Sequence, residues 1–178
     1  ILVVPKEQYA LSNHLVNSLN YAKVLCVKTG GKSRFESSQI AVNAIPVEEA
    51  KVLIHDAARP LLTNEIISDS LKKLEEFDAL NLLTPISDTL VEISQNQILR
   101  NLDRERIRLA QTPQSFKLKT IKKAHQKALQ ENTDAITDDF NLVLKYKTGS
   151  TSWIEGNRIN FKITYPEDLM IAQRLLNP

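Results

Sequence analysis

The feature that most narrows the fold of this chain is the decapeptide Lys51-Val52-Leu53-Ile54-His55-Asp56-Ala57-Ala58-Arg59-Pro60. Its unbroken aliphatic run has the pattern of a strand covered on both faces, as in a parallel sheet. Within two residues the chemistry changes. His55 and Asp56 arrive together, two small alanines follow, and Arg59 stands before a proline. In open α/β sheets, ligands lie in the crevice beyond the carboxyl ends of the strands. An acid there, then almost no side-chain bulk, then an arginine suits a polyanionic ligand held through a metal or directly. The same residues also fit an ordinary βα loop with a capping Asp56 and a solvated Arg59.

On either side of this stretch, strand and helix patterns alternate. Residues 1–4 read as a strand stopped by Pro5, and Leu11, Leu15, Val16 and Leu19 recur at helical spacing. A second strand is expected over 23–27, then a loop in which Gly30 and Gly31 permit a tight turn and close backbone approach. The next helix presents Ser37, Ile40, Ala41 and Ala44 and ends before Pro46. A strand follows over 51–55. Thr63 or Asn64 caps a helix carrying Ile66, Ile67, Leu71 and Leu74, and a strand over 79–84 is closed by Pro85. Residues 88–92 and 97–102 read as a polar hairpin turning at Ser94-Gln95-Asn96, either an arm that pairs with another chain or an exposed flap. A strand over 108–111 is expected to stop at Thr112-Pro113. An amphipathic helix over 119–131 follows, its lysines forming a solvated face. Thr137 then caps a helix with Asp138 and Asp139 in its first turn. Strands over 152–155 and 160–164 precede a final helix that starts at Pro166. The pattern is α/β, a mostly parallel sheet with helices on both faces.

Composition bounds the function. The chain has 178 residues, enough for one domain that buries roughly 70% of its unfolded surface. A net charge of +2 gives no strong pull toward nucleic acid or membrane. No apolar run approaches the roughly 20 residues of a membrane span. Cys26 is the only cysteine, so no intrachain disulfide forms, and a reducing compartment fits. Its setting, Val24-Leu25-Cys26-Val27, reads as core strand. The glycines at 30, 31, 149 and 156 make no GxGxxG or Walker loop. The chain opens on a core-like strand without a methionine, and residues upstream are therefore expected to be missing.

Among candidate functional residues Lys162 is the most informative. Alternation puts Phe161 and Ile163 on one face of the expected strand, and Asn160, Lys162 and Thr164 on the other. An interior lysine there needs a long snorkel or an anionic partner such as a phosphate; on an edge strand it needs neither. Arg34, Arg59 and Arg104 are each capable of bidentate phosphate contacts. Thr89, Thr112 and Thr137 could donate hydroxyl hydrogens, and Thr137 could do so while also capping its helix. His14, His55 and His125 show no metal-ligand spacing, so no protein metal-ligand set is expected, and no serine-nucleophile signature is present. These residues leave a phosphate-handling site of cations and hydroxyls around one acid.

Several segments together carry a resemblance. They are Gly30-Gly31-Lys32-Ser33-Arg34-Phe35-Glu36-Ser37, His55 to Pro60, Asp88-Thr89, Asp103-Arg104, Gln111-Thr112-Pro113-Gln114, Ile136-Thr137-Asp138, and Gly156-Asn157 through Lys162 to Pro166-Glu167-Asp168. In order and spacing the chain resembles the 2-C-methyl-D-erythritol 4-phosphate cytidylyltransferase family. The resemblance implies a Rossmann-like three-layer sandwich, a single nucleotidyltransferase domain over 1–178 that is incomplete at its N-terminus, and a protruding hairpin over 87–104 that acts as the arm of a homodimer. It implies transfer of a cytidylyl group from CTP to methylerythritol phosphate with Mg²⁺, in isoprenoid precursor synthesis in a bacterial cytoplasm or a plastid-type compartment. By position, Gly31, Ser37, Asp56 and Ala57 would hold the nucleotide. Asp56, Arg59, Thr89, Arg104, Thr112, Thr137 and Lys162 would hold the acceptor, with Lys162, Arg104 and Thr137 catalytic. A pentitol-phosphate cytidylyltransferase, such as the ribitol 5-phosphate enzyme, shares the Gln111–Ser115 segment, and a non-catalytic nucleotide-binding relative is a further alternative. Two features depart from the family pattern: Lys32 stands where an acid is common, and no Gly-rich triphosphate loop precedes the first strand. Without that loop, the activity of this chain is expected to be negligible.

Overall fold

The computed structural model describes residues 1–131 and 138–176. Its elements in order are β1 (Leu2–Val4), a 3₁₀ turn (Lys6–Gln8), α1 (Tyr9–Ser18), β2 (Val27–Thr29), α2 (Arg34–Asn43), β3 (Lys51–Ile54), α3 (Asn64–Lys73) and β4 (Ala79–Pro85). The hairpin β5 (Val91–Ser94) and β6 (Gln97–Asn101) follows, then a second 3₁₀ turn (Arg104–Arg106), β7 (Arg108–Lys117), α4 (Leu118–Gln130), α5 (Asp139–Tyr146), β8 (Thr151–Glu155) and α6 (Pro166–Leu176).

Local chemistry sets the helix starts. Ser33 Oγ accepts the Glu36 amide at 3.1 Å, Thr63 Oγ1 accepts the Ile66 amide at 3.4 Å, and Pro166 opens α6 where its missing N–H costs nothing. For α5 the cap is Asp138, whose Oδ1 accepts the Asn141 amide at 2.7 Å; Thr137, the expected cap, lies outside the described residues.

Four strands pair in the order β3-β7-β4-β8. β7 runs antiparallel to both β3 and β4, whereas β8 is parallel to β4, so β3, β4 and β8 point the same way. One face carries α2, α4 and α5 through Phe35, Val42, Ile121, Ala124, Phe140 and Val143, packed with Phe116 and Ala79 of the sheet. The other carries α3, whose Ile66 meets Leu80, Leu82 and Ile154. This is the three-layer α/β arrangement, with β7 as the one reversed strand.

Four expectations are corrected. β7 does not stop at Thr112-Pro113, because between Leu82↔Gln111 and Leu80↔Ser115 it advances four residues against two of β4. A proline without an N–H is tolerated in such a bulge. The second strand is Val27–Thr29, not 23–27, leaving Cys26 half-buried in the segment before it. The buried face of α2 is Phe35, Ser38 and Val42 rather than the face of Ile40 and Ala41. Finally, residues 160–164 form no strand: Ile163 gives its N–H to the Ala58 carbonyl at 2.8 Å, and Asn160 gives its own to Asn157 at 3.0 Å, so the backbone ties one loop to another.

β1 and β2 form a separate parallel pair. A cavity of about 510 Å³ lies between Leu2 and Val3 on one side and Val52, Leu53 and Ile54 on the other, with Arg34, Ser37, Asp56 and Ala57 also in its wall. β3 is accordingly half-buried and not enclosed by strands on both sides. The core depends most on Phe116, which is fully buried between the layers. Phe116→Ala is expected to cost about 3–5 kcal/mol, read from the urea midpoint at unchanged slope.

Candidate active site

The cleft is assembled from three segments, two of which leave the same end of the four-stranded sheet. The loop after β3 supplies His55 to Arg59, the segment after β8 supplies Asn157 to Ile163, and the start of α2 supplies Arg34 and Ser37. Asp56 is the hub. Its carboxylate lies 3.3 Å from Lys162 Nζ and 3.8 Å from Arg34 Nε, one oxygen toward each cation. Lys162 is half-exposed, so it reaches Asp56 from a loop at the cleft mouth and not from an interior strand.

The hub is fixed from behind by a chain of hydrogen bonds. His55 Nε2 lies 2.9 Å from the Arg59 carbonyl, which can only accept, so that nitrogen carries the proton. Nδ1 is then an acceptor and takes the hydroxyl hydrogen of Thr112 at 3.0 Å. Thr112 Oγ1 in turn accepts the Asp56 amide at 3.0 Å. One imidazole thus locks both ends of the loop, with Asp56 at one and Arg59 at the other. The arrangement commits the Thr112 hydrogen to His55, so Thr112, almost wholly buried, serves the site by orienting Asp56.

Arg59 is turned inward. Its Nη1 donates to the Asn160 carbonyl at 2.9 Å, while its buried Nε has no partner among the described residues. Burial pulls the guanidinium below its usual value, against the opposing pull of Asp56. Asn160 fastens the two loops to the sheet, giving Nδ2–H bonds to the Thr112 carbonyl at 2.8 Å and to Gln111 Oε1 at 3.3 Å.

On the opposite wall, Gly31 donates to Ser37 Oγ at 3.2 Å and Ser37 donates to the Ser33 carbonyl at 2.9 Å. A Cβ at Gly31 would run into the Glu36 side chain, so this tight turn needs glycine. Lys32 points to solvent, and its backbone N–H is taken by Glu36 Oε2 at 2.6 Å.

The expected residues therefore divide. Asp56, Arg59, Thr112 and Lys162 are joined directly or through Asn160, and Ser37, Asp56 and Ala57 share the wall of one cavity. Arg104 lies at the hairpin root, donating to the Ser87 carbonyl at 2.9 Å, with Thr89 exposed in the same loop. Among the described residues no hydrogen bond or ion pair joins Arg104 or Thr89 to Asp56, Arg59 or Lys162. Thr137 lies outside the described residues. Arg34 was visible in the sequence only as one arginine among several; its place beside Asp56 depends on pairings that local spacing does not encode.

The family model for 2-C-methyl-D-erythritol 4-phosphate cytidylyltransferase matches residues 1–178. The chain belongs to this family. A 2-C-methyl-D-erythritol 4-phosphate cytidylyltransferase of Halalkalibacterium halodurans is 32% identical, the match covering 99% of this chain and 76% of that protein. The bifunctional ribulose 5-phosphate reductase/CDP-ribitol pyrophosphorylase of Haemophilus influenzae is 36% identical over 98% of this chain, which spans 38% of that longer protein. Among solved structures, the 4-diphosphocytidyl-2C-methyl-D-erythritol synthase of Anaerococcus prevotii superposes with a TM-score of 0.87 at 26% identity, covering 99% of this chain and 78% of that one.

In this family member the His55 bridge is testable without any ligand. His55→Leu strands the Thr112 hydroxyl and the Arg59 carbonyl and should cost about 1–2 kcal/mol in urea unfolding. Thr112→Val should cost less on that background than alone, since both changes break the same link. Full additivity would contradict the bridge.

Proposed function

We propose that this chain carries the acceptor and cytidine sites for transfer of a cytidylyl group from CTP to 2-C-methyl-D-erythritol 4-phosphate. The observation that carries the reading is the Lys162–Asp56–Arg34 arrangement at the mouth of the cleft, in a chain of this family. In the reaction a phosphate oxygen of the acceptor attacks the α-phosphorus of CTP in line. The bond to the bridging oxygen of the β-phosphate breaks, and pyrophosphate leaves. Catalysis of this kind is mostly positioning and neutralisation of charge building on the α-phosphate oxygens.

Lys162 supplies the neutralising ammonium, with Arg104 and Thr137 as its catalytic companions. Gly31, Ser37, Asp56 and Ala57 hold the nucleotide; Arg59, Thr89 and Thr112 complete the acceptor side, Thr112 through its grip on Asp56. Mg²⁺ enters with CTP. That ion is commonly held by one or two carboxylates plus substrate phosphates, and Asp56, the carboxylate in the cavity wall, would be the residue to hold it, exchanging its contacts with Arg34 and Lys162 for the ion. A cytoplasmic or plastid-type setting accompanies the reading.

The pentitol-phosphate alternative draws support from the Haemophilus influenzae relative, whose name includes CDP-ribitol pyrophosphorylase. Ala57-Ala58 and the Ile136-Thr137-Asp138 segment lean toward methylerythritol. Calorimetry with the two products separates the readings. CDP-methylerythritol should bind more tightly than CDP-ribitol, and Lys162→Ala should weaken it about tenfold or more. The opposite order assigns the chain to the pentitol substrate.

We further propose that hairpin 87–104 is the arm of a homodimer. Val91, Ile93, Ile98 and Leu99 are exposed on it, Ile98 to 72%, in a two-stranded sheet that pairs with no other strand among the described residues. An isolated hairpin of this size is marginal in water. Sedimentation velocity should find a dimer that the Ile93→Lys, Ile98→Lys double variant dissociates; a monomeric native chain at tens of micromolar overturns the arm.

A further inference from the structure

Behind the cleft, α2, α4 and α5 meet at a buried polar node that none of the roles above uses. Asp139, at the first position of α5, is 1% exposed, and His125 of α4 is 3% exposed. Asp139 Oδ2 lies 2.5 Å from Arg34 Nη1. Its other oxygen has no hydrogen-bond donor among the described residues and faces His125 Nε2 at 3.8 Å. Ser38 of α2 closes the node from a further side, its Oγ 3.4 Å from the same imidazole nitrogen, and the Phe35 ring meets the imidazole edge-on at 5.2 Å. Burial pulls His125 below its ordinary value, outweighing the opposite pull of Asp139, so the ring is neutral at pH 7. Arg34 is thus the cation that answers the buried carboxylate.

The node is rigid at its inner end. Gln114 of β7, itself 2% exposed, accepts both the Asp139 and Phe140 amides through Oε1, at 3.0 and 3.2 Å, and so pins the first turn of α5 to the sheet. At its outer end, Arg34 emerges into the cleft with its Nε beside Asp56, and Asp56 meets Lys162. The four groups form a line of alternating charge, Asp139–Arg34–Asp56–Lys162, running from the core to the cleft mouth. An exposed arginine ordinarily samples many rotamers, whereas breaking a buried carboxylate's ion pair is strongly unfavourable. The buried partner therefore decides where the guanidinium sits.

We propose that Asp139 is a positioning residue for the cleft: it fixes Arg34 against Asp56 and so sets the place of the carboxylate that Lys162 and the incoming ligand must share. This rests on the reading of the cleft as a cytidylyl-transfer site only for its consequence, not for the pairing itself. Asp139 touches no ligand under this assignment, and its effect passes through Arg34.

Two readouts test it. The first needs no ligand: the His125 ring signal is followed by NMR through a pH titration. Arg34→Gln removes the cation that answers Asp139, so the His125 midpoint should rise by about one pH unit. Asp139→Asn should move it down, and Arg34→Lys, which keeps the charge, should largely restore the native value. The second readout is affinity for CDP-methylerythritol. Asp139→Asn should weaken binding about tenfold, and on an Arg34→Gln background it should weaken it no further. A His125 midpoint indifferent to Arg34→Gln, or additive losses of affinity, would overturn the proposal. Should Asp139→Asn fail to fold, the two Arg34 variants still decide the first readout. Failure of the native chain to bind CDP-methylerythritol would sink the functional reading alone and leave the His125 signal to judge the pairing.

Discussion

The cleft depends on a carboxylate held between two cations. Asp56 would be a mobile side chain on an exposed loop but for three constraints of different kinds. Its amide is fixed by Thr112, its carboxylate is drawn toward Arg34 and Lys162, and its loop is closed on itself through His55. None of these is strong singly, since a half-exposed ion pair contributes about 0–1 kcal/mol. Their force comes from being anchored in buried groups that cannot move: Thr112 in a central strand, and Asp139 behind Arg34. The exposed part of the site inherits its order from the buried part.

The reversed strand β7 makes this possible. Running between β3 and β4, it presents Gln111, Thr112 and Gln114 at the bulge, and each serves a different loop. Gln111 donates to the Asn157 carbonyl at 3.0 Å and accepts from Asn160. Thr112 holds Asp56, and Gln114 caps the turn into Asp139. A regular strand would spend its backbone groups on its neighbours and send alternate side chains to opposite faces. The bulge instead gathers three polar side chains within four residues at one end of the sheet, where buried polar groups must find partners.

Much of this was legible in the sequence, for reasons that differ by element. α3 and α6 were marked by Thr63 and by Pro166, both local signals, and the hairpin by its turn and flanking alternation. Lys162 stands out in the sequence as a lysine on an expected interior strand; it does meet Asp56 at 3.3 Å, but from a half-exposed loop, so the pairing holds while the burial argument for it does not. What was not legible was set by tertiary partners. Of residues 160–164, Phe161 and Ile163 are half-buried while Lys162 and Thr164 are exposed, but Asn160, expected on the face of the latter two, is fully buried. Their backbone, however, bonds to a loop. Asp139 read as a helix-dipole acid, and nothing local announces a partner 105 residues away. Pro113 was a stop signal that a bulge overruled.

The balance of charge suggests how such a cleft treats an anion. Arg34, Arg59 and Lys162 bring three positive charges, and Asp56 and Asp139 bring two negative ones. Arg34 and Lys162 are held against carboxylates and Arg59 against the Asn160 carbonyl, so little reorganisation is needed when phosphate oxygens arrive. A phosphate must compete with Asp56 for Lys162, which lowers its affinity in the ground state. As charge builds on the transferring group, the competition shifts toward the ligand, because the lysine gains more from the more negative partner. Interactions that strengthen in the transition state raise the rate, whereas those equally strong before it do not. Under the proposed reaction, a carboxylate that keeps Lys162 occupied until the charge develops would favour the transition state over the ground state, and would account for an acid among cations.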